Sequence, residues 1–151
     1  MGQNIYGVDI GTSNFKMCCK DKDKIINEKN IIAIANKKDI LAFGDEAYEM
    51  YEKAPANIQV SYPIKNGVIA DLSNMHQLVI SFLEKIANGR NKLKGFDYYL
   101  AIPTDITEVE KRSYFDVIVS SKLKPNRIRM VEKPVADALG MGLEVLDSTG
   151  V

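Results

Sequence analysis

The sequence predicts an α/β fold in which helices flank a mixed β-sheet. Short apolar runs separated by tight turns fill the first part of the chain, a pattern typical of antiparallel strands. Strand and helix patterns alternate after residue 71, as they do where helices cover a sheet. With 46% hydrophobic residues among 151, the chain can bury a core of ordinary size.

The opening of the chain is predicted to be antiparallel. Ile5–Ile10 is a short apolar run that Gly11 ends, and a second strand is expected over Phe15–Lys20. We expect the charged residues 21–24 to form a turn that leads to a further strand over Ile31–Ala35. Strands joined by such short connections pair as hairpins.

The segment from residue 39 to residue 66 carries a weaker pattern. Ile40–Phe43 predicts a short strand. Asp45–Lys53 predicts a polar helix that ends before Pro55, because proline cannot continue a helix. Residues 56–66 show no clear period, so no element is predicted there.

The strongest helical pattern lies between residues 72 and 89. Its apolar residues recur with the period of about 3.6 that marks one face of a helix. Gly89 is placed to end this helix. The apolar stripe consists of Leu72, Met75, Leu78, Val79, Phe82, Leu83 and Ile86.

A strand and then a helix are predicted next. Asp97–Ile102 is an apolar run that Pro103 ends. Thr107 and Glu110 have the capping-box spacing that satisfies free amides at a helix start. The helix is expected to run to about Ser121.

The same order repeats to the end of the chain. Arg127–Val131 predicts a strand, and Pro134 lies where a first-turn proline opens a helix through Leu139. Residues 148–151 stop where the alternation calls for another strand. We therefore expect the chain to be truncated.

Charge and composition exclude several classes of function. Twenty basic and twenty acidic residues are scattered, so nucleic-acid binding is not expected. The sequence shows neither a signal peptide nor the ~18 apolar residues of a membrane span, which predicts a cytoplasmic location. Cys18 and Cys19 are expected to be reduced and structural, and His76, without a second metal ligand nearby, to lie at the surface.

A polar turn after the first strand carries the clearest chemistry. Asp9 is followed by Gly11, Thr12, Ser13 and Asn14, which offer backbone amides and hydroxyls that can cradle phosphate oxygens. The Asp9 carboxylate can hold a hydrated Mg²⁺ beside those phosphates. The same residues are also ordinary hairpin chemistry, so both interpretations stand on the turn alone. Walker A spacing and a Gly-x-Gly-x-x-Gly motif are both missing.

The turn resembles the first phosphate loop of the actin, sugar-kinase and heat-shock ATPase superfamily, and further segments resemble the MreB-type bacterial actins. They follow one another in the order of that family along the whole chain. These segments are Asn27-Glu28 with residues 31–34, Gly44–Ala47 with Glu49-Met50, Pro63–Asp71, Ile102-Pro103, Thr107–Arg112, Pro134–Ala138 and Gly140–Gly142.

The resemblance implies a ribonuclease H-like actin-fold subdomain with a small inserted subdomain. Residues 1–32 and 67–151 would form the large subdomain and residues 33–66 the insertion. The second half of the actin fold, with its own phosphate loop and adenosine pocket, would be absent. The implied ligands are ATP or ADP with Mg²⁺, held by Asp9 through water and by Gly11, Thr12, Ser13, Asn14 and Lys16.

Two departures from the MreB pattern lie near this loop. Lys16 stands at a place where actin itself carries a lysine near the phosphates, whereas MreB proteins have leucine there. It is either a phosphate contact or a solvated surface charge. Lys29-Asn30 replace the usual Pro-Ser, a change that bears on the entry to the inserted subdomain.

A third departure concerns hydrolysis. In MreB proteins a glutamate before the proline of the strand-to-helix turn positions the attacking water, but here Lys133 occupies that place and Glu132 precedes it. A charged ammonium cannot accept a proton from water. The chain is therefore expected to lack ATPase activity, unless a slip of one residue lets Glu132 serve as the catalytic group.

The resemblance implies a cytoskeletal, ATP-binding filament subunit involved in bacterial cell shape. Self-association into a filament or dimer and contact with the cell-wall elongation machinery are the expected interactions. Membrane contact is not evident, because residues 1–4 are too short and polar for an amphipathic anchor. The alternatives are a degenerate or truncated actin-like interaction module without ATP turnover, and a sugar kinase or heat-shock ATPase, which Asn66–Asp71 disfavours.

Overall fold

The structure, a computed structural model, describes residues 5–88, 94–119 and 123–144. Within these ranges it contains strands and helices in the following chain order. They are β1 Ile5–Ile10, β2 Asn14–Cys19, β3 Lys22–Lys29, β4 Ile32–Ala35, β5 Asp39–Phe43, α1 Asp45–Glu49, β6 Ile58–Ser61, β7 Ile64–Lys65, β8 Val68–Ile69, α2 Leu72–Ala87, β9 Asp97–Ile102, α3 Glu108–Ile118, β10 Arg127–Glu132 and α4 Lys133–Gly140.

The main sheet has five strands in the order β10-β9-β1-β2-β3. β1, β2 and β3 pair antiparallel, whereas β9 and β10 join on the other side of β1 as parallel strands. Parallel neighbours need a crossover between them, and α2 and α3 lie in those connections. The predicted α/β class, with a mixed sheet and an antiparallel opening, is confirmed.

One face of the main sheet carries the core. Along β1 the side chains alternate, so that Tyr6, Val8 and Ile10 are buried on one side. The apolar stripe of α2 packs on this face with the buried residues of α3, except for Leu72, which is 43% exposed. Phe82 of α2 is fully buried and stacks on Phe15 of β2, with ring centroids 4.4 Å apart.

Polar residues cap both ends of helix α2. Asp71 caps its start by accepting a hydrogen bond from the Asn74 amide at 2.9 Å. Asn88 ends it in the left-handed conformation, with a φ of 56°. The predicted stop at Gly89 lies outside the described residues.

The strand β3 was missed by the sequence analysis, which predicted a turn over residues 21–24. The chain turns at Lys20 and Asp21 and pairs with β2 from Lys22 onward. β3 is an outer strand, and of its residues Ile26 alone is buried. Its sequence therefore lacks the apolar run by which strands are recognised, and backbone pairing sets its position. The strand predicted over Ile31–Ala35 is present as β4, but it pairs with β5 and β6 and does not continue the first hairpins.

A second sheet follows, with the order β5-β4-β6 and antiparallel pairing throughout. It has a separate small hydrophobic cluster of Ile31, Ala33, Ala42 and Ala47. The helix α1 on this cluster ends at Glu49, earlier than the predicted Lys53. Ala47 is its one buried residue, and Glu52 takes a positive φ of 63° that no helix can continue.

A short hairpin of β7 and β8 connects the second sheet to α2. Its turn consists of Asn66 and Gly67, with φ values of 52° and 76°, the pattern of a type I′ turn. The Tyr114 hydroxyl of α3 donates a hydrogen bond to the Gly67 carbonyl at 2.6 Å. The hairpin is thereby tied to the helical layer.

The later elements agree with their sequence signals. Thr107 and Glu110 form the predicted capping box, since each side chain bonds the backbone amide of the other. The predicted end of α3 near Ser121 lies outside the described residues, as do residues 148–151. The helix α4 includes Pro134 in its first turn. In the described ranges, no helix has the length and apolar character needed to cross a membrane.

Candidate functional site

The loop between β1 and β2 is a tight hairpin. The Gly11 amide donates a hydrogen bond to the Asn14 carbonyl at 3.0 Å. A Cβ atom at Gly11 would lie 2.7 Å from that same carbonyl oxygen, closer than real side chains approach. Position 11 therefore needs glycine because the backbone passes so near.

Thr12 and Ser13 form the exposed tip of this loop. Within the described part of the chain, their amides donate no hydrogen bond. The Thr12 hydroxyl accepts a hydrogen bond from the Gly67 amide at 3.0 Å, which leaves its own proton available. The tip thus offers two amide donors and two hydroxyls to an anion.

Asn30 supports the loop from behind. Its side chain is fully buried, and the side-chain Nδ2 donates a hydrogen bond to the Gly11 carbonyl at 2.7 Å. The backbone amide of Asn30 donates to the Ser13 carbonyl at 2.9 Å. In a trans peptide the carbonyl and the next amide point in opposite directions. Because the Gly11 carbonyl faces inward to Asn30, the Thr12 amide faces outward. This role of Asn30 was not predicted from the sequence, although a polar residue directly before the apolar Ile31-Ile32 pair was the available signal.

Asp9 lies one strand position before the loop and faces two lysines. Lys16 is its cross-strand partner on β2, and its ammonium is 3.6 Å from Asp9 Oδ2. Lys133, the first residue of α4, places its ammonium 3.0 Å from Asp9 Oδ1. The second contact is an ion pair without hydrogen-bond alignment, since the buried Oδ1 atom accepts no hydrogen bond among the described residues. We call Asp9, Lys16 and Lys133 the Asp-Lys cluster.

The Asp-Lys cluster is accessible and carries an excess of positive charge. The side chains of Asp9, Lys133 and Lys16 are 31%, 30% and 55% exposed. Two ammonium groups face one carboxylate, so one positive charge is not balanced within the cluster. A phosphate group is a suitable ligand for such an excess.

Glu132 and Lys133 occupy different positions relative to this cluster. Glu132 pairs with Ile102 of β9, and Ile102 belongs to the buried face of the sheet. Asp9 pairs with Ala101, which lies on the opposite face because side chains alternate along a strand. Strand alternation thus directs Glu132 away from Asp9, and the structure brings Lys133 to it instead.

The remaining predicted ligand is Asn14. Its side chain donates a hydrogen bond to Asn27 Oδ1 of β3 at 3.1 Å, so it bridges two strands. Gly11, Thr12, Ser13, Asn14 and the Asp-Lys cluster all lie at one end of the main sheet. No cluster of three or more His, Cys, Asp or Glu suited to a metal occurs in the described ranges.

Two clefts lie near this end of the main sheet. On the face opposite the core, a groove of about 490 Å³ has Asp9 and Lys16 at one side and apolar residues elsewhere. We call it the sheet groove; its apolar lining includes Ile25, Tyr99, Val131, Ala136 and Leu139. A second cleft of about 570 Å³ lies between Thr12, Ser13 and the β7–β8 hairpin.

Comparison with known proteins identifies similar sequences along the whole chain. The family model described as MreB/Mbl protein matches residues 3–151. The cell shape-determining protein Mbl of Bacillus subtilis (strain 168) is 31% identical over 145 residues, which cover 95% of this chain and 43% of Mbl. The cell shape-determining protein MreB of Escherichia coli (strain K12) is 27% identical over 155 residues, covering 99% of this chain and 44% of that protein. The chain thus spans less than half the length of these relatives.

Solved structures share the fold. MreB5 of Spiroplasma citri bound to AMPPNP superposes with a TM-score of 0.80 at 25% identity, over 95% of this chain and 43% of MreB5. A crystal structure of the same protein bound to ADP gives 0.78. MamK, solved as a double helical filament, gives 0.74 at 19% identity, covering 93% of this chain and 44% of MamK, and so supports the fold alone.

Proposed function

Because this chain belongs to the MreB/Mbl protein family, we propose that it supplies the first phosphate loop of an actin-like, ATP-binding filament protein that acts in bacterial cell shape. The observation that carries the proposal is the β1–β2 loop. Its Thr12 amide is turned outward by the Asn30 contact to Gly11, beside a cluster with excess positive charge. Relatives of this chain are cell shape-determining proteins.

In this proposal the loop binds the phosphates of ATP or ADP. The Thr12 and Ser13 amides and hydroxyls donate to phosphate oxygens, and Lys16 adds charge at the side of the loop. Gly11 allows the tight turn, and Asn14 fixes its end by bonding to Asn27. Spiroplasma citri MreB5, solved with ADP and with AMPPNP, supports the choice of nucleotide.

The Mg²⁺ expected at Asp9 fits these surroundings poorly. Each carboxylate oxygen of Asp9 already faces an ammonium, and Oδ1 is buried beneath Lys133. A divalent cation at those oxygens would meet two like charges within a few ångströms. The carboxylate therefore serves here to hold two lysines in place.

We propose that this chain does not turn over ATP. Hydrolysis needs a group that accepts a proton from the attacking water, and the Lys133 ammonium cannot do so. Glu132, the alternative catalytic residue, is directed to the opposite face of the sheet by its register with Ile102. An actin-like interaction module without ATP turnover is thus a second candidate function, and Lys133 is the residue that favours it.

The domain division also belongs to this proposal. Residues 33–66 would be the small inserted subdomain, with the second sheet and its own apolar cluster, and residues 1–32 and 67–151 the large one. Contacts to the base and sugar would come from outside these 151 residues. Self-association is the proposed mode of assembly, in line with MamK, which was solved as a filament, and the cell-wall elongation machinery is the proposed partner.

The test is a nuclear magnetic resonance titration of the 151-residue chain with ATP and with ADP. We expect the Thr12 and Ser13 amide signals to shift, with a Kd of about 0.1 mM or weaker, because a few donors hardly offset the cost of immobilising the ligand. Gly11→Ala is expected to abolish the shifts. Gly140→Ala is the matched control, since a Cβ there meets nothing within 4 Å. Unchanged loop signals at saturating nucleotide would contradict the proposal.

A further inference from the structure

We propose that the ammonium groups of Lys133 and Lys16 take the place of a divalent cation, so that nucleotide phosphates bind this site without Mg²⁺. This inference rests on the proposed phosphate-binding function and concerns the charge that accompanies the ligand. It follows from the Asp-Lys cluster, in which one carboxylate holds two lysines beside the loop.

The geometry places the two ammonium charges against Asp9, the residue that was expected to hold Mg²⁺ through water. Asp9 is two residues from Gly11. One carboxylate oxygen of Asp9 faces a lysine of strand β2, and the other faces a lysine of helix α4. Lys16 comes from β2, directly across from Asp9. Lys133 comes from α4, which follows β10, and β10 lies on the other side of β1 from β2 in the strand order. The lysines thus enclose the carboxylate from both directions within the sheet.

Electrostatics favours this arrangement for binding an anion. A carboxylate that held Mg²⁺ would need oxygens open to the ion and its water shell. Here Oδ1 is buried under Lys133 and faces Nζ at 3.0 Å. The lysine at the start of α4 also stands where a helix end is already partly positive, a place that normally favours acidic side chains. Asp9 offsets part of this charge, and an incoming phosphate would offset the rest.

The side chains remain able to reach a ligand. Lys16 is 55% exposed and Lys133 is 30% exposed, so neither ammonium is sealed in the protein. A lysine ammonium has three donors, and Asp9 engages each ammonium through one oxygen. Each lysine therefore keeps donors free for phosphate oxygens while Asp9 fixes its position.

The experiment compares phosphate binding with Mg²⁺ and with EDTA. ATP, ADP and inorganic tripolyphosphate are titrated into the 151-residue chain, and loop amide signals are followed. We expect the Kd of the unmodified chain to differ by less than about twofold between the two conditions. A loss of about tenfold or more in EDTA would overturn the inference while leaving phosphate binding intact. No binding in either condition would overturn both proposals.

Two substitutions separate the lysine and metal arrangements further. Lys133→Glu is expected to raise the Kd in EDTA by about tenfold, a typical loss for one charge-assisted contact. When Mg²⁺ is present, the Kd of this variant is expected to return to that of the unmodified chain. Asp9→Asn is expected to tighten binding in EDTA, because removing a negative charge beside the phosphates outweighs the looser positioning of the two lysines. If Asp9 instead holds Mg²⁺, Asp9→Asn would abolish Mg²⁺-dependent binding, and the inference would be wrong.

Controls guard against general effects of charge and folding. Lys38→Glu changes the same charge on an exposed residue of the second sheet region and is expected to leave both Kd values unchanged. Lys133→Met removes the charge without adding repulsion beside Asp9, so it tests the same lysine if Lys133→Glu fails to fold. We expect Lys133→Met to weaken binding in EDTA too, and equal binding by this variant would contradict the role of Lys133.

Discussion

The face of the main sheet that meets α2 and α3 is sealed, whereas the opposite face is largely open. Tyr6, Tyr98 and Leu100 are buried on the first face. On the second face Ile25 is 79% exposed and Tyr99 is 40% exposed, beside the charged Asp-Lys cluster. Alternating residues of the same strands thus serve two purposes: one set holds the domain together, and the other presents charge at the loop.

The largest effect is expected on the sealed face. Phe82→Ala would remove a fully buried ring that contacts Phe15 and Phe43, and we expect it to lower the free energy of unfolding by about 3–5 kcal/mol. Tyr99→Ala on the open face is the control, with an expected loss below about 1 kcal/mol. Urea unfolding measures both. Equal losses would break the distinction between the two faces.

The rate of ATP hydrolysis is expected to change when Lys133 on the open face is substituted, and to stay the same when Glu132 is substituted. If this chain is joined to the second half of a competent relative, Lys133→Glu is expected to raise phosphate release by about 10² or more, since a general base typically contributes that factor. Glu132→Gln serves as the comparison, and we expect it to leave the rate unchanged. High activity in the parent fusion, or its loss in Glu132→Gln, would assign hydrolysis to Glu132.

A third substitution tests whether the buried Asn30 side chain holds the β1–β2 loop in its shape. Asn30→Ala removes the buried hydrogen bond to the Gly11 carbonyl, and we expect a loss of about 1–3 kcal/mol together with shifted Thr12 and Ser13 amide signals. Asn126→Ala removes a comparable bond to Asp97, at 2.8 Å, on another element. It is expected to destabilise the chain while leaving the loop signals in place. Loop signals that stay unchanged in Asn30→Ala would show that the loop holds its shape without it.

The smallest expected effect appears at alkaline pH and comes from buried tyrosines. Burial raises the pKa of Tyr6 to about 12, and burial followed by the Asp9 and Glu110 charges raises the pKa of Tyr114 to about 12. Between pH 10 and 12 both hydroxyls stay protonated in the folded state. In the unfolded chain the same tyrosines ionise near their ordinary pKa of 10.0. Their stabilising contribution is therefore complete below pH 10 and is lost as pH rises toward 12.

Urea unfolding at a series of pH values measures this loss. Each tyrosine adds a slope of up to about 1.4 kcal/mol per pH unit in that window. Tyr114→Phe is expected to reduce the slope, because it removes a hydroxyl whose pKa is raised. An unaltered slope in Tyr114→Phe would show that its hydroxyl ionises equally in both states.

Elements with a buried periodic face were predictable from the sequence. α2 was correct because its apolar residues recur at the period of a helix, and β9 was correct because it is a short apolar run that Pro103 ends. β3 was missed and α1 was predicted too long, because pairing and a positive φ, rather than apolar pattern, set their bounds.

The site divides in the same way. The β1–β2 loop could be proposed from residues adjacent in sequence, and Lys16 from its position two residues past the loop. The Asp9–Lys133 contact joins residues far apart in the chain, and the Asn30 contacts depend on the path of β3 and β4. Such contacts follow from strand order and register, which local patterns do not specify.

The charged character of β3 has a consequence for assembly. Among the described residues, β3 and β10 form the edges of the main sheet, and unpaired edges invite strand addition by other chains. Lysines recur along β3 at Lys22, Lys24 and Lys29, while β10 carries Arg127 and Arg129. Asp23 and Glu28 lie among the β3 lysines, so this edge carries charges of both signs. Charged side chains on an edge strand discourage pairing with other chains, so we expect both edges to resist strand addition.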